Sequence, residues 1–442
     1  MEGSTVATIA QKKVRWHILP YLFLIYFVAF LDRSSITYAS LGGMDTDLGL
    51  TATTYGFIAG IFFIGYFIFG IPGNMILEKV GAKKWISLIL ILWGTVTLLT
   101  GFVQTVTGLV VLRFLLGIFE AALFPGMTLI VTYWFLSKTR AAAIALFMIA
   151  PPLANAFGAP VATTIITQIH QFLNLDGWRW LFIIVGLPAI LLGFFTYWYL
   201  SDDPSKAKWL TAEEKQWLVK ELDKDRLKSS KHGEISAPFR EALKDKKIWI
   251  LTLMNTFYVM GLYGITFWLP QMIKGISTGS STMTIGWLTA VPYLFGAVTL
   301  MLNAKSSDKT GERIYHTAAG AIIGGISLLI SASVSNVYLS LIFICIAAMG
   351  LYAWSGPYWA ITTDIDPRIA AVGLGIVNAL GNLGGFISPY VVGWLKDITH
   401  STVSGMYFLS ASLIVAGCLV MLLKTGKQSS KKNEILEEVQ NG

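Results

Sequence analysis

GNMILEKVGAKKW, Gly73 to Trp85, sets an acidic residue and a cation before a glycine, with more cations behind it. The same order returns in SSDKTGER, Ser306 to Arg313, at the equivalent place in the other half of the chain. Each stretch follows one long apolar run and precedes another. Gly81 and Gly311 permit a tight turn between consecutive helices. Glu78 and Asp308 can pair with cations or with helix N-termini of a neighbouring bundle. Gly73, Glu78, Gly81, Asp308, Gly311 and Arg313 are therefore read as an inner-loop gating set.

Outward from these loops, apolar windows of about 20 residues lie at 18–38, 55–77, 85–104, 108–133, 141–168, 180–200, 248–270, 284–303, 315–334, 338–362, 370–395 and 404–424. Each can cross a hydrocarbon core of about 30 Å. Of 442 residues 55% are hydrophobic and 13% charged, against about 25% charged in a soluble domain. The polar stretch 201–247 splits the twelve windows into six and six. The expected fold is an all-α polytopic membrane protein with twelve transmembrane helices. Cys345 and Cys418 lie in apolar runs and read as small core residues. Lys12, Lys13 and Arg15 precede the first run, with no small-residue cleavage site after a short core, so a cleavable signal peptide is not expected.

Lysine and arginine set the expected orientation. With the N-terminus in the cytoplasm, 28 of the 33 basic residues fall in inner segments, and only Arg179, Lys274 and Lys396 fall outside. Both termini are then cytoplasmic: residues 1–17, and a polar tail 425–442 expected to be disordered. The net charge of +8 reads as topological, not as a nucleic-acid surface. Within the central loop, TAEEKQWLVKEL offers Thr211 as N-cap with Glu214 three residues on, a capping box. Trp217, Leu218 and Leu222 share a face of the helix that follows, which suits either the inner interface or a solvated linker.

Two charges interrupt the first apolar run: FVAFLDRSSITYA, Phe27 to Ala39, carries Asp32 beside Arg33. Among all charged residues only Asp32, Arg33, Arg113 and Glu120 lie well inside a span. An intramembrane charge costs at least about 2.5 kcal/mol, so each should face a partner or a cavity. In RFLLGIFEAALFPG, Arg113, Gly117 and Glu120 share one helical face. The four charges sum to zero. They fit a structural ion-pair cluster joining helices 1 and 4, or a site for protons and an anion. In the second reading Asp32 and Glu120 take protons, and Arg33 with Arg113 meets a substrate carboxylate through the planar guanidinium fork. His17, His170, His232, His316 and His400 all lie away from mid-span, which disfavours a histidine relay.

The paired loops and twelve spans resemble the major facilitator superfamily. FLDRSSI, GIFEAALFPG, KAKWLTAEEK and VNALGNLGGFISPYVVGWLKD resemble, within it, the anion:cation symporters, a family of permeases for tartrate, 4-hydroxyphenylacetate, phthalate and sugar acids. The resemblance implies two six-helix bundles, 18–200 and 248–424, that alternate access to a substrate site near the midplane. It supports the same roles for the four buried charges. By the same likeness Tyr66 and Asn378 contact substrate. Asn382, four residues beyond Asn378, shares its face, where buried Asn also suits helix–helix hydrogen bonding. Glu78 stands where the family usually has Asp. Where sugar-acid permeases place a glutamine, this chain has Pro151–Pro152, with Asn155 a turn further on. That departure weakens a direct sugar-acid assignment and leaves room for a less hydroxylated substrate. In YAWSGPYWA, Ser355 and Trp359 are further lining candidates, although such aromatics also serve as core or interface-belt residues.

No nucleophile–base set or metal-ligand spacing argues for an enzyme, and neither metal nor cofactor is expected. The function expected is proton-coupled uptake of a small organic carboxylate at the plasma membrane by a monomer whose partners are substrate, protons and lipid. An anion–anion exchanger or a proton-coupled exporter of the same fold is the alternative.

Overall fold

Among the described residues, twelve helices long and apolar enough to cross a membrane follow one another where the apolar windows predict them. The computed structural model describes residues 2–230, 239–362, 365–366 and 368–441, with side chains described at all of these except 2–5, 226–230, 371 and 424–441. His232 lies outside the described residues. We number the spans 1 to 12: Val6–Leu41, Ala52–Val80, Ala82–Thr100, Val106–Trp134, Ser137–Gln168, Gly177–Tyr199, Lys246–Ile276, Thr282–Thr310, Ile314–Ser333, Val337–Thr362, Val372–Thr399 and Val403–Leu423. Even span 3, with 19 residues, is about 28 Å long.

Spans 4, 5, 10 and 11 are each broken. Span 4 breaks between Val106–Glu120 and Leu123–Trp134, and span 5 between Ser137–Phe147 and Ala150–Gln168. Span 10 breaks at Trp354, and span 11 at Leu383. Pro125, Pro151, Pro152 and Pro357 each sit in the first turn after a break, where a missing N–H costs no helical hydrogen bond. Gly384 and Gly385 follow the fourth break. Spans 4 and 10, and spans 5 and 11, hold matching places within their sixes, so the breaks recur at the half-chain repeat.

The chain divides into two compact units, one of Met1–Leu50 with Ile61–Ile235, the other of Thr51–Gly60 with Ser236–Gly442. The first turns of span 2 thus group with the second unit. There a Cβ on Gly56 would lie 2.1 Å from the Pro389 carbonyl oxygen. Asp397 of span 11 accepts hydrogen bonds from the backbone N–H of Ala52 (3.1 Å) and Thr53 (2.7 Å) and from the Thr53 hydroxyl. A carboxylate at a helix N-terminus satisfies donors that the helix itself leaves open.

In the first unit the linker helix Ala212–Ser230 packs on protein. The capping box forms, with Glu214 N–H donating to Thr211 Oγ1 (3.3 Å) and Thr211 N–H to Glu214 Oε2 (2.9 Å). Leu218 and Leu222 are buried, each contributing about 1.5–3 kcal/mol, while Trp217 is only half-buried. Lys13 Nζ meets Glu214 at 2.7 Å. Burial opposes ionisation of Glu214, but Lys13 and the Thr211 N–H outweigh it and hold the carboxyl below its ordinary range. His17 stacks between Tyr199 (4.3 Å) and Trp209 (4.2 Å). The helix is therefore not a solvated linker; its apolar face packs on protein.

The two loop glycines adopt positive φ, 88° at Gly81 and 68° at Gly311, as the turns require. Of the two acidic residues, one meets a cation and the other, among the described residues, does not. Asp308 pairs with Arg313 of its own loop at 2.6 Å, and Glu78 is exposed without an ion pair among the described residues. The N-terminal capping falls to two other acids. Asp202 accepts from Lys83 N–H (2.8 Å), and Glu312 from Tyr315 N–H (2.7 Å) and His316 N–H (3.1 Å). Glu312 stands just before its own helix, whereas Asp202 reaches Lys83 from beyond span 6, 119 positions away. The C-terminal helix also differs, running unbroken from Val403 to Asn441 through the expected disordered tail. KKNEILEEVQ is rich in helix formers, and an existing span removes the nucleation cost.

Candidate functional site

Span 1 carries Asp32 and Arg33 on adjacent residues, so their side chains leave the helix about 100° apart. Arg33 turns to span 4, where Nη2 donates to Glu120 Oε2 at 2.5 Å and Nε to the same oxygen at 3.2 Å. Asp32 turns to span 3 instead. Its Oδ2 accepts hydrogen bonds from Trp93 Nε1 and from Thr97 Oγ1, the latter at 2.6 Å. Asp32, Arg113 and Glu120 are each 1% exposed. Arg113 acts electrostatically on both carboxylates. The four charges singled out by sequence are thus one buried, net-neutral group.

Packing explains how they meet. A Cβ on Gly117 would fall 1.9 Å from the Phe62 carbonyl oxygen, and one on Gly65 would fall 2.3 Å from that of Phe114. Spans 2 and 4 cross backbone to backbone at these two glycines. The absence of a side chain at Gly117 thus admits span 2 between Arg113 and Glu120. That crossing puts Phe62 beside the charges: the Arg33 guanidinium lies 4.7 Å from its ring centre and 4.6 Å from that of Phe30, and Arg113 lies 5.9 Å from Phe62. Ring faces stabilise a desolvated cation. Tyr66, half-buried, follows Phe62 by one turn, with ring centres 6.0 Å apart.

Trp93, Thr97, Phe30 and Phe62 are the residues that sequence reasoning missed. A Trp and a Thr four apart in an apolar helix share a face, but such pairs are common in cores, and only the carboxylate opposite gives this one meaning. Each carboxylate keeps one buried oxygen without a hydrogen-bond partner, Asp32 Oδ1 and Glu120 Oε1. Asn155, buried in span 5, likewise has an unpartnered Oδ1. Unsatisfied acceptors of this kind are costly and mark places where a proton or donor can be taken up.

The second unit holds the remaining candidates. Asn382 Nδ2 donates to the Asn378 carbonyl oxygen (2.8 Å) and Oδ1 (2.9 Å), which fixes the Asn378 amide on an exposed face. Helix–helix bonding is done by a different residue, Asn255, whose Nδ2 donates to the Val377 carbonyl at 3.2 Å. Ser355 shares a hydrogen bond with Tyr258 (3.1 Å). The Tyr258 ring stacks on Trp354 at 4.8 Å and 7°. Trp359 is 41% exposed and meets this aromatic group through Tyr358, with centroids 5.4 Å apart.

Twelve spans in two units, breaks repeated at the half-chain period and a neutral charge cluster buried in one unit define a polytopic membrane transporter. Residues 22–389 match the Major Facilitator Superfamily model, and the chain belongs to that superfamily. It is 39% identical over 422 residues to a protein of Agrobacterium vitis named "Putative tartrate transporter", covering 95% of this chain and 96% of that one. It is 34% identical to the "Quinolone resistance transporter" of Acinetobacter baumannii, covering 96% of each. The partially occluded, inward-open structure of the xylose transporter XylE from E. coli has the same fold, with TM-score 0.71 and 15% identity over 92% of this chain and 97% of that one. The chain is a transporter and not an enzyme.

Proposed function

We propose that the protein couples proton movement to uptake of a small organic carboxylate across the plasma membrane, by alternating access, with both termini cytoplasmic. The observation that carries this reading is the Arg33–Glu120 pair beside two buried, unpartnered carboxylate oxygens. While Glu120 is ionised it holds the Arg33 guanidinium. A proton on Glu120 removes the charge that holds Arg33 and releases a planar donor fork suited to a carboxylate. Asp32, braced by Trp93 and Thr97, takes a second proton. Arg113 adds positive charge for the anion. Tyr66, Asn155, Asn378, Ser355 and Trp359 shape the rest of the substrate site. The gating set, Gly73, Glu78, Gly81, Asp308, Gly311 and Arg313, serves the inner turns during the change of access.

The relative named for tartrate supports a carboxylate substrate. The relative named for quinolone resistance favours a second reading, in which the same site drives export. The test is uptake of labelled tartrate, a sugar acid and 4-hydroxyphenylacetate into proteoliposomes under an imposed pH gradient. Accumulation of at least one acid toward the alkaline side supports symport. Movement toward the acidic side supports proton-coupled export. Equal flux with and without the gradient contradicts proton coupling.

A further inference from the structure

A groove of about 460 Å³ opens at the end of the first unit where the cations of span 1 precede its apolar run. That volume lies within the roughly 300–1,000 Å³ usual for small-ligand sites. One wall is polar, formed by Thr8, Gln11, Lys12 and Arg15; the other is apolar and includes Phe135, Leu136 and Leu146. Trp16, also lining it, is 69% exposed. An exposed Trp beside cations at the start of an apolar helix is the pattern of a membrane–water boundary.

The charges here are unevenly compensated. The cations flanking the groove have acids from the linker helix: Lys13 has Glu214 at 2.7 Å, and Arg140 has Asp225 at 3.6 Å. Lys12 and Arg15, on the groove wall itself, are exposed and have no ion pair among the described residues. The result is two uncompensated cations over an apolar channel. An anion with a hydrocarbon body satisfies both walls, whereas a free anion satisfies only one. Basic pockets between helices at a membrane boundary hold lipid headgroups by this combination.

We propose that this groove binds an anionic glycerophospholipid, with the headgroup phosphate on Lys12 and Arg15 and the first part of an acyl chain along Leu136 and Leu146. The test uses full-length protein in detergent, titrated with phosphatidylglycerol and followed by native mass spectrometry. Parallel titrations use phosphatidylcholine of the same chains and inorganic phosphate. The K12A/R15A double variant should bind phosphatidylglycerol about 30-fold more weakly, from two cation contacts. Lys138→Ala, an exposed cation that does not line the groove, should bind as the parent does. Phosphatidylcholine should bind no more tightly to the parent than to the double variant, and 1 mM inorganic phosphate, used as an on-the-order-of physiological probe, should not displace the lipid. Equal phosphatidylglycerol binding by parent and double variant overturns the proposal. So does an equal loss in Lys138→Ala, which would mean diffuse charge, or displacement by phosphate alone, which would mean an anion site indifferent to lipid.

Discussion

Arg33 and Glu120 stand 87 positions apart in sequence and meet at 2.5 Å with almost no exposure on either side chain. Removing one partner of a buried pair leaves a charge without compensation, at about 3–5 kcal/mol. Arg33→Met should therefore lower the melting temperature clearly. The double variant Arg33→Met/Glu120→Met should recover most of that loss, yet transport nothing. Differential scanning fluorimetry in detergent, beside an uptake assay, checks both. A double variant less stable than the single would contradict the pairing.

Thr97 holds Asp32 by one hydroxyl hydrogen bond, and a hydrogen bond to a charged group contributes about 1.5–3 kcal/mol. Thr97→Val should cut uptake about tenfold or more, and Thr97→Ser should retain it. Initial uptake rates at matched protein amounts decide this. Equal rates for Val and Ser would remove Thr97 from the mechanism.

Much of this was legible in sequence and some was not, for definite reasons. Spans are set by hydrocarbon thickness, so composition alone located all twelve. Buried charges are costly, so a census found Asp32, Arg33, Arg113 and Glu120. Pairing is another matter: adjacent residues 32 and 33 point apart, and only the packing of span 1 against spans 3 and 4 decides which neighbour each meets. Trp93 and Thr97 were invisible because an aromatic and a hydroxyl on one helical face are ordinary core residues until a carboxylate faces them. Asp202 and Glu312 displaced Glu78 and Asp308 as helix caps: Glu312 stands just before its helix, but Asp202 comes from beyond span 6, a long-range contact that the loop motif does not disclose.

Gly117 has no space for a side chain against the Phe62 carbonyl, while a Cβ on Gly70 meets nothing within 4 Å. Gly117→Ala should destabilise by about 1–3 kcal/mol through overpacking and abolish uptake by parting spans 2 and 4. Gly70→Ala, on span 2, should leave both unchanged or slightly improved. Thermal melts and uptake rates of the two variants check the contrast.

Glu214 gives a pH signature outside the spans. Its folded-state value is held below the ordinary 4.5, so its contribution is full above that value and is lost as pH falls through the lowered one. Hydrogen exchange in Ala212–Ser230 should rise as the pH drops below about 4.5, after correction for intrinsic exchange rates. Lys13→Met should weaken that dependence.

Asn378 lies on an exposed face with its amide held by Asn382. Asn378→Ala should raise the apparent KM about tenfold, the loss of roughly one hydrogen bond to a charged ligand, without moving the melting temperature. A lower melting temperature with unchanged KM would assign Asn378 to packing.

The central claim is that Glu120 carries the coupling proton. Its most direct test compares Glu120→Gln with the parent in proteoliposomes, measuring substrate exchange at equal pH and net uptake under an imposed pH gradient. The account predicts that exchange persists while gradient-driven uptake is lost. Unchanged gradient-driven uptake in Glu120→Gln would contradict it.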